Sequence, residues 1–403
     1  MPTQRIRFRG STDELDARLD LPTGQPRAFA LFAHCFTCSK DSVAASRVSR
    51  ALAQQGIAVL RFDFTGLGGS DGDFANTTFS SNVEDLHRAV DHLRASYAAP
   101  RILIGHSLGG AAVLRAASGV PEAAAVVTIG APSDPYHVTH LLGEDRERIQ
   151  QRGEQRVLLA GREFTIRRQF LEDIAEHHLT ATLGDLRKAL LILHSPRDET
   201  VAIDHARRIY EAARHPKSFV SLDGADHLLT AAADARYVAG VISAWVSRYL
   251  PDDEAEAPDV RGPRTVHVAE AGQGRFTQHV TIGPHRMVGD EPPGVGGDDL
   301  GPSPYDFLLT ALGTCTAMTL RMYADHKQLS LSGVEVELGH EKVHAEDCRD
   351  CESPSGRIDV IERVIRLRGE LNEDQRVSLL RIADKCPVHR TLHAEVKVRT
   401  RSA

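Results

Sequence analysis

No run of about twenty uncharged apolar residues occurs in the 403-residue chain, so no segment reads as a membrane-spanning helix. The basic N-terminal stretch MPTQRIRFRG has no apolar h-region behind it. No secretory signal is therefore expected, and the cytoplasm is the expected compartment. Aromatic residues are scarce, at 5% with one tryptophan. The apolar share of 41% against 26% charged is nevertheless that of folded globular protein and excludes a mainly disordered chain. Positive charge is not in excess: 48 Lys and Arg face 55 Asp and Glu, a formal net charge of -7. That balance argues against nucleic acid as a partner, and nothing points to a membrane surface. Six cysteines are too few for a disulfide scaffold of this length and read as thiols, metal ligands or redox groups. At roughly 150 residues per domain, the length implies two or three domains.

The stretch PDDEAEAPDVRGP at 251–263 is rich in proline and acid, lacks apolar periodicity and reads as a linker. It divides the chain into domains at 1–250 and 264–403. In the first, short apolar runs at 28–34, 57–64, 100–107, 124–132, 188–196 and 217–224 alternate with amphipathic helical patterns such as SNVEDLHRAVDHLRASY. Buried strands alternating with helices predict a mostly parallel sheet covered on both faces, an α/β fold. A charged, helix-like insert at about 133–185 is placed where a lid could cover a site. The second domain predicts an α+β layout. Its strands surround a long helix at 305–327, with a later helix EDQRVSLLRIADKC and a final strand HAEVKVRT.

The strongest chemical motif is Gly105-His106-Ser107-Leu108-Gly109-Gly110, between the strand RILI and the helix AAVLRAAS. This is the strand–turn–helix setting of a nucleophile elbow, whose glycines admit close backbone approach. A serine nucleophile needs a base and an orienting acid, which in this architecture follow it in the order acid, then histidine. Asp198 and His227 each lie just past a strand, where loops gather at the carboxyl edge of the sheet. Glu199 and Asp226 read as solvated neighbours, and His194, His205 and His215 lie outside the matching turn. His106 reads as a structural neighbour of the nucleophile. The oxyanion requires two backbone N–H donors. Leu108 supplies one, and the loop His34-Cys35-Phe36-Thr37-Cys38 the other, assigned to Phe36. Cys35 and Cys38 read as small apolar side chains near the floor of the site, with a redox pair as the alternative. Gly66-Leu-Gly68-Gly-Ser-Asp-Gly72 lacks dinucleotide-loop spacing and reads as a hydrolase loop.

Taken in order, HCFT, the 63–72 loop, GHSLGG, SPRDETV and GADH resemble the α/β-hydrolase family, in its serine aminopeptidase and esterase-like branch. The resemblance covers essentially 1–250 and implies acyl transfer from a small ester, thioester or peptide-like substrate, with no cofactor. Cys35 stands where the family usually has glycine.

Four cysteines lie in the second domain. Cys315 falls within ALGTCTAMTLRMYA, and Cys386 opens Cys386-Pro387-Val388-His389. Together with the segment from Gly296 to Cys315, these resemble the OsmC/Ohr family over about 264–403. The resemblance implies an organic hydroperoxide reductase with peroxidatic Cys315 and resolving Cys386, an external thiol reductant, and a homodimer. The family's activating Glu, ten positions before the first cysteine, is Tyr305 here. Asp306 and Arg275 are the substitutes considered for activating the thiolate. The alternative is a catalytically silent dimerisation or ligand-binding module. His344, Cys348 and Cys351 have spacing suited to zinc. The same spacing suits a labile dithiol or plain loop cysteines, so no firm metal site is assigned.

Overall fold

In the computed structural model, residues 3–22, 24–159, 161–250, 265–271, 274–283, 285–344 and 356–402 are described. The first strands are charged and alternate: β1 (Thr3–Arg9) and β2 (Glu14–Asp20) pair antiparallel and bury Ile6, Phe8, Leu15, Ala17 and Leu19. The next four, β3 (Ala28–Ala33), β4 (Ile57–Phe62), β5 (Ile102–His106) and β6 (Ala125–Ile129), are buried at every residue. This is the pattern of strands covered on both faces.

The expected helix-like insert is mixed. Beside helices at Asp145–Arg152, Arg168–Glu176 and Leu179–Gly184 it contains an antiparallel hairpin, β7 (Glu154–Leu159) and β8 (Arg162–Arg167). The hairpin forms because Val157, Leu159 and Ile166 bury one face while Glu154, Arg156 and Leu158 face out, a period of two that overrides the local charge. Strands β9 (Ala189–His194) and β10 (Lys217–Ser221) complete the sheet.

The sheet order is β1-β2-β4-β3-β5-β6-β9-β10. From β4 to β10 all neighbours are parallel. Its carboxyl edge therefore gathers the turns after β3, β5, β6, β9 and β10 at one end, as expected. One face packs on the helices Val43–Ala53 and Ala232–Val246, burying Val48, Leu52, Val238 and Ile242 against Phe32, Val59 and Ile104.

Packing separates two units, 1–288 and 289–403. The three-stranded sheet of β11 (Val266–Glu270), β12 (Gln278–Ile282) and β13 (His285–Gly289) groups almost wholly with the first. The linker at 251–263 lies outside the described residues.

In the second unit, Ser303 caps the helix Pro304–His326, which packs on β14 (Ser330–His344), paired antiparallel with β15 (Arg357–Glu370). Leu320, Ala324, Leu331, Leu379 and Ala383 form its small core, with the helix Glu373–Ala383. The expected final strand HAEVKVRT does not form. After the helix Pro387–Leu392, residues 395–402 are irregular and Val398 is 87% exposed. Alternation makes a strand only where an edge receives it, and no described edge receives this one.

Candidate active site

Ser107 joins β5 to the helix Leu108–Ala116 with φ 55 and ψ -125, a left-handed conformation that a non-glycine residue holds only under constraint. The constraint is visible. A Cβ on Gly105 would lie 2.3 Å from the Gly109 carbonyl, and one on Gly109 would lie 2.4 Å from the carbonyls of Ala33 and His34. The Ser107 N–H donates to Ile129 O at 2.9 Å, pinning the elbow to the end of β6. The N–H of Leu108, at the first turn of its helix, is one of the free donors of a helix N-terminus.

His227 Nδ1 lies 2.7 Å from Asp198 Oδ2. Asp198 Oδ1 accepts the N–H groups of Thr200 at 2.9 Å and Val201 at 2.8 Å. Burial pushes the Asp198 carboxyl up, but the hydrogen bonds from His227 and the backbone outweigh it and hold the group below the usual carboxylate range. It is therefore ionised at neutral pH and suited to orient an imidazole. A Cβ on Gly130, directly after β6, would lie 3.2 Å from Asp198 Oδ2 and 3.3 Å from His227 Nδ1. The end of β6 thus carries the Ser107 backbone on one side and the Asp198–His227 pair on the other. No hydrogen bond joins the Ser107 hydroxyl to His227; catalytic hydrogen bonds of this kind commonly tighten only in the complex with substrate.

The rivals have other partners. Glu199 is exposed, and Asp226 accepts from Thr230 N at 3.0 Å and from the Thr230 hydroxyl. His106 Nε2 donates to His227 O at 2.7 Å, and burial with the nearby His227 pushes its pKa down to about 4. It stays neutral and fixes the His227 backbone. His194 spends Nε2 on Val201 O at 2.7 Å, and His205 bonds the Ser133 hydroxyl at 2.9 Å.

Phe36 lies buried in the turn after β3. Its ring is 5.1 Å from Phe170 and 5.6 Å from Phe74. From β8, Arg162 donates to Thr37 O, so the insert closes directly over this turn. Phe36 and Leu108 border the same small cavity of about 10 Å³. Cys35 and Cys38 are not separate apolar thiols: their sulfurs are joined in a disulfide, with Cα atoms 5.2 Å apart. The Cys-x-x-Cys spacing carried that signal, because a tight turn brings its ends within bridging distance.

In the second unit Cys315 is half-buried and Cys386 fully buried, both free. Cys386 Sγ lies 3.7 Å from Thr316 Oγ1, so the fold brings the second cysteine against the residue beside the first. Arg363, which the sequence did not single out, donates to Thr316 Oγ1 at 3.1 Å and to Asp384 at 2.6 Å. It stands on β15 among alternating charges and carries no motif. A cavity of about 550 Å³ is lined by Leu308, Leu312, His340, Arg363, His389 and other residues. Cys315 continues the stripe of Leu308 and Leu312 at helical spacing.

Asp306 is engaged at the helix start, its Oδ2 accepting from Ser303 N at 2.8 Å and Ser303 Oγ at 2.7 Å. Tyr305 stacks on His340 with ring centroids 4.1 Å apart. Arg275, in the first unit, lies 4.9 Å over its neighbour Phe276. His344 ends β14, while Cys348 and Cys351 lie outside the described residues. Among the described residues no group of three or more side chains is placed to hold a metal ion.

Comparison with known proteins agrees with both halves. Residues 24–142 match the family described as serine aminopeptidase, S33, and residues 296–401 match OsmC-like protein. The esterase domain of a Rhodothermus marinus protein is 49% identical, spans 62% of this chain and all of its own, and superposes with a TM-score of 0.52. The mitochondrial palmitoyl-protein thioesterase ABHD10 of Mus musculus is 27% identical over 214 residues, 51% of this chain and 70% of that protein. The ferulic acid complex of Est1E from Butyrivibrio proteoclasticus, 21% identical over 60% of this chain and 98% of its own with a TM-score of 0.54, shares the fold.

Proposed function

We propose that this chain, which is an esterase-type α/β-hydrolase fused to an OsmC-like domain, hydrolyses small esters or thioesters through Ser107, His227 and Asp198. The observation that carries the reading is the 2.7 Å pair of His227 and ionised Asp198 beside the elbow that presents Ser107. In this mechanism Ser107 Oγ attacks the acyl carbon as His227 takes its proton through Nε2. Asp198 holds Nδ1 and stabilises the imidazolium. The N–H groups of Leu108 and Phe36 receive the oxyanion. His227 then protonates the leaving alcohol or thiol, and water, activated by the same imidazole, releases the acid. No cofactor enters these steps.

For the second domain the reading is thiol-dependent reduction of an organic hydroperoxide. The Cys315 thiolate attacks the O–O bond. A sulfenic acid forms and an alcohol leaves. The Cys386 thiol then attacks that sulfur, displacing water and closing a disulfide, which an external thiol must reduce. The proximity of Cys386 to Thr316 and the adjoining cavity support this reading. A homodimer through this domain is supported by its uncovered apolar side chains, among them Met318 at 65% and Met322 at 73% exposed. The reading keeps the cytoplasm as compartment. A second reading, a silent dimerisation or ligand-binding module, is favoured by one observation: the Asp306 carboxylate is committed to the helix cap.

The test is Ser107→Ala in the full chain. Hydrolysis of p-nitrophenyl butyrate is expected to fall by about four orders of magnitude or more, with the fold and any peroxide reduction unchanged. Esterase activity that survives the substitution sinks the assignment.

A further inference from the structure

We infer that the Cys35–Cys38 disulfide is a redox-active site that positions the oxyanion donor of the hydrolase, so that reducing it lowers turnover. The inference rests on the reading of Ser107 as nucleophile and Phe36 as donor. Phe36 N–H and Cys35 C=O belong to one peptide unit, and in a trans peptide they point in opposite directions. The carbonyl is held twice: Cys38 N–H donates to it at 3.2 Å, and His34 Nδ1 lies 2.8 Å from it. Fixing the carbonyl fixes the N–H on the other side of the plane. The disulfide closes the same turn covalently, one residue before Phe36 and two after it.

The rest of the turn is anchored independently. Lys40 N–H donates to Asp63 Oδ1 at 2.5 Å, and Lys40 Nζ lies 2.6 Å from Asp63 Oδ2 and 2.5 Å from Asp16. Arg162 ties Thr37 O to β8. Reduction therefore removes the covalent closure of the 35–38 turn without unfolding the loop, and leaves the Phe36 N–H held only through the two hydrogen bonds to the Cys35 carbonyl. Cys35 is 7% exposed and Cys38 is half-buried, so the second sulfur is the one open to attack.

The exchange needs a dithiol as reductant. One thiolate of the dithiol attacks Cys38 Sγ, and Cys35 leaves as a thiolate. The dithiol's second thiol then attacks its own sulfur in the mixed disulfide and releases Cys38. Two electrons pass to the protein, the dithiol departs as a cyclic disulfide, and its two protons end on Cys35 and Cys38. An oxyanion donor acts on the transition state, so its loosening is read in kcat and not in KM.

The experiment compares the full-length protein as isolated with the same protein after dithiothreitol treatment. Mass spectrometry of alkylated cysteines reports the state of the pair. Reduction is expected to lower kcat for p-nitrophenyl butyrate by on the order of tenfold to a hundredfold, less than outright loss of a donor. KM should hold within about twofold, and oxidised dithiothreitol should restore the rate. Cys35→Ser/Cys38→Ser keeps every other thiol. It should show the reduced protein's kcat and no response to dithiothreitol. Equal kcat in both states overturns the inference, as does a response that persists in the double variant or a pair that alkylates even after oxidant. Labelling of Ser107 by a fluorophosphonate separates the readings. Labelling absent in both states means the hydrolase reading has failed. Labelling present with equal rates means that only the redox inference has failed.

Discussion

The motif of Ser107 is legible in the sequence, and the two residues proposed to act with it are singled out by chain order and by the turns that follow β9 and β10. The structure gives Glu199 and Asp226 local surroundings of their own: Glu199 is exposed, and Asp226 accepts from Thr230. Long-range partners left no local trace. Nothing in the sequence joins His106 to the His227 carbonyl, 121 residues away, at 2.7 Å. That contact gives a pH prediction. The His106 pKa falls from an ordinary 6.5 to about 4 through burial, so between these values the unfolded chain binds the proton that the folded chain refuses. Its contribution to stability is complete above about pH 6.5 and is lost as pH falls toward about 4. His106→Gln keeps an N–H donor for the carbonyl but does not titrate. Its melting temperature is expected to fall less steeply than that of the unsubstituted protein across this window. Parallel curves by differential scanning calorimetry would show that His106 is not the group responsible.

At the level of elements, the apolar strands β3 to β6 and β9 were the easiest to find, since burial on both faces leaves continuous runs of Ala, Val, Ile and Leu. Strands with charge on one face were the harder ones. β1 and β2 were not anticipated, and β7 and β8 were hidden in an insert read as helical, because Arg and Glu at alternate positions mask a short period of two. The missed hairpin matters, since β8 and the helix after it bring Arg162 and Phe170 onto the 35–38 turn. Phe170 is 3% exposed, and its ring stacks on Phe36. Truncation of a buried phenylalanine costs about 3–5 kcal/mol, and a site in an insert should lie near the lower end. Phe170→Ala is therefore expected to lower the melting temperature. It should also shift the best p-nitrophenyl ester toward longer acyl chains, because space opens above the oxyanion turn. An unchanged chain-length profile would mean that the acyl group does not pass beneath this ring.

For the whole molecule, the hydrolase fold could be derived from alternating strands and helices, whereas the second domain's thiol site depended on a resemblance. A buried cysteine in a helix is by itself a small hydrophobe. The physical content comes from the fold, which sets Cys386 against Thr316 across 70 residues and places Arg363 on the same threonine. Pairing within one chain demands that Cys315 and Cys386 approach to a Cα separation of about 7 Å or less. Val396 and Val398, Met318 and Met322 are exposed apolar side chains that a second copy would cover in the proposed dimer. The proposed peroxidase activity and the proposed dimer are tested separately. One equivalent of cumene hydroperoxide added to fully reduced protein is expected to give a Cys315–Cys386 disulfide within seconds, mapped by mass spectrometry. Cys386→Ser should instead leave Cys315 as a sulfenic acid that dimedone traps. Sedimentation of the same samples should show a dimer in either redox state. Persistent peroxide beside two reduced cysteines, in a protein that still sediments as a dimer, would leave the second domain as an assembly module, with all the chemistry carried by Ser107.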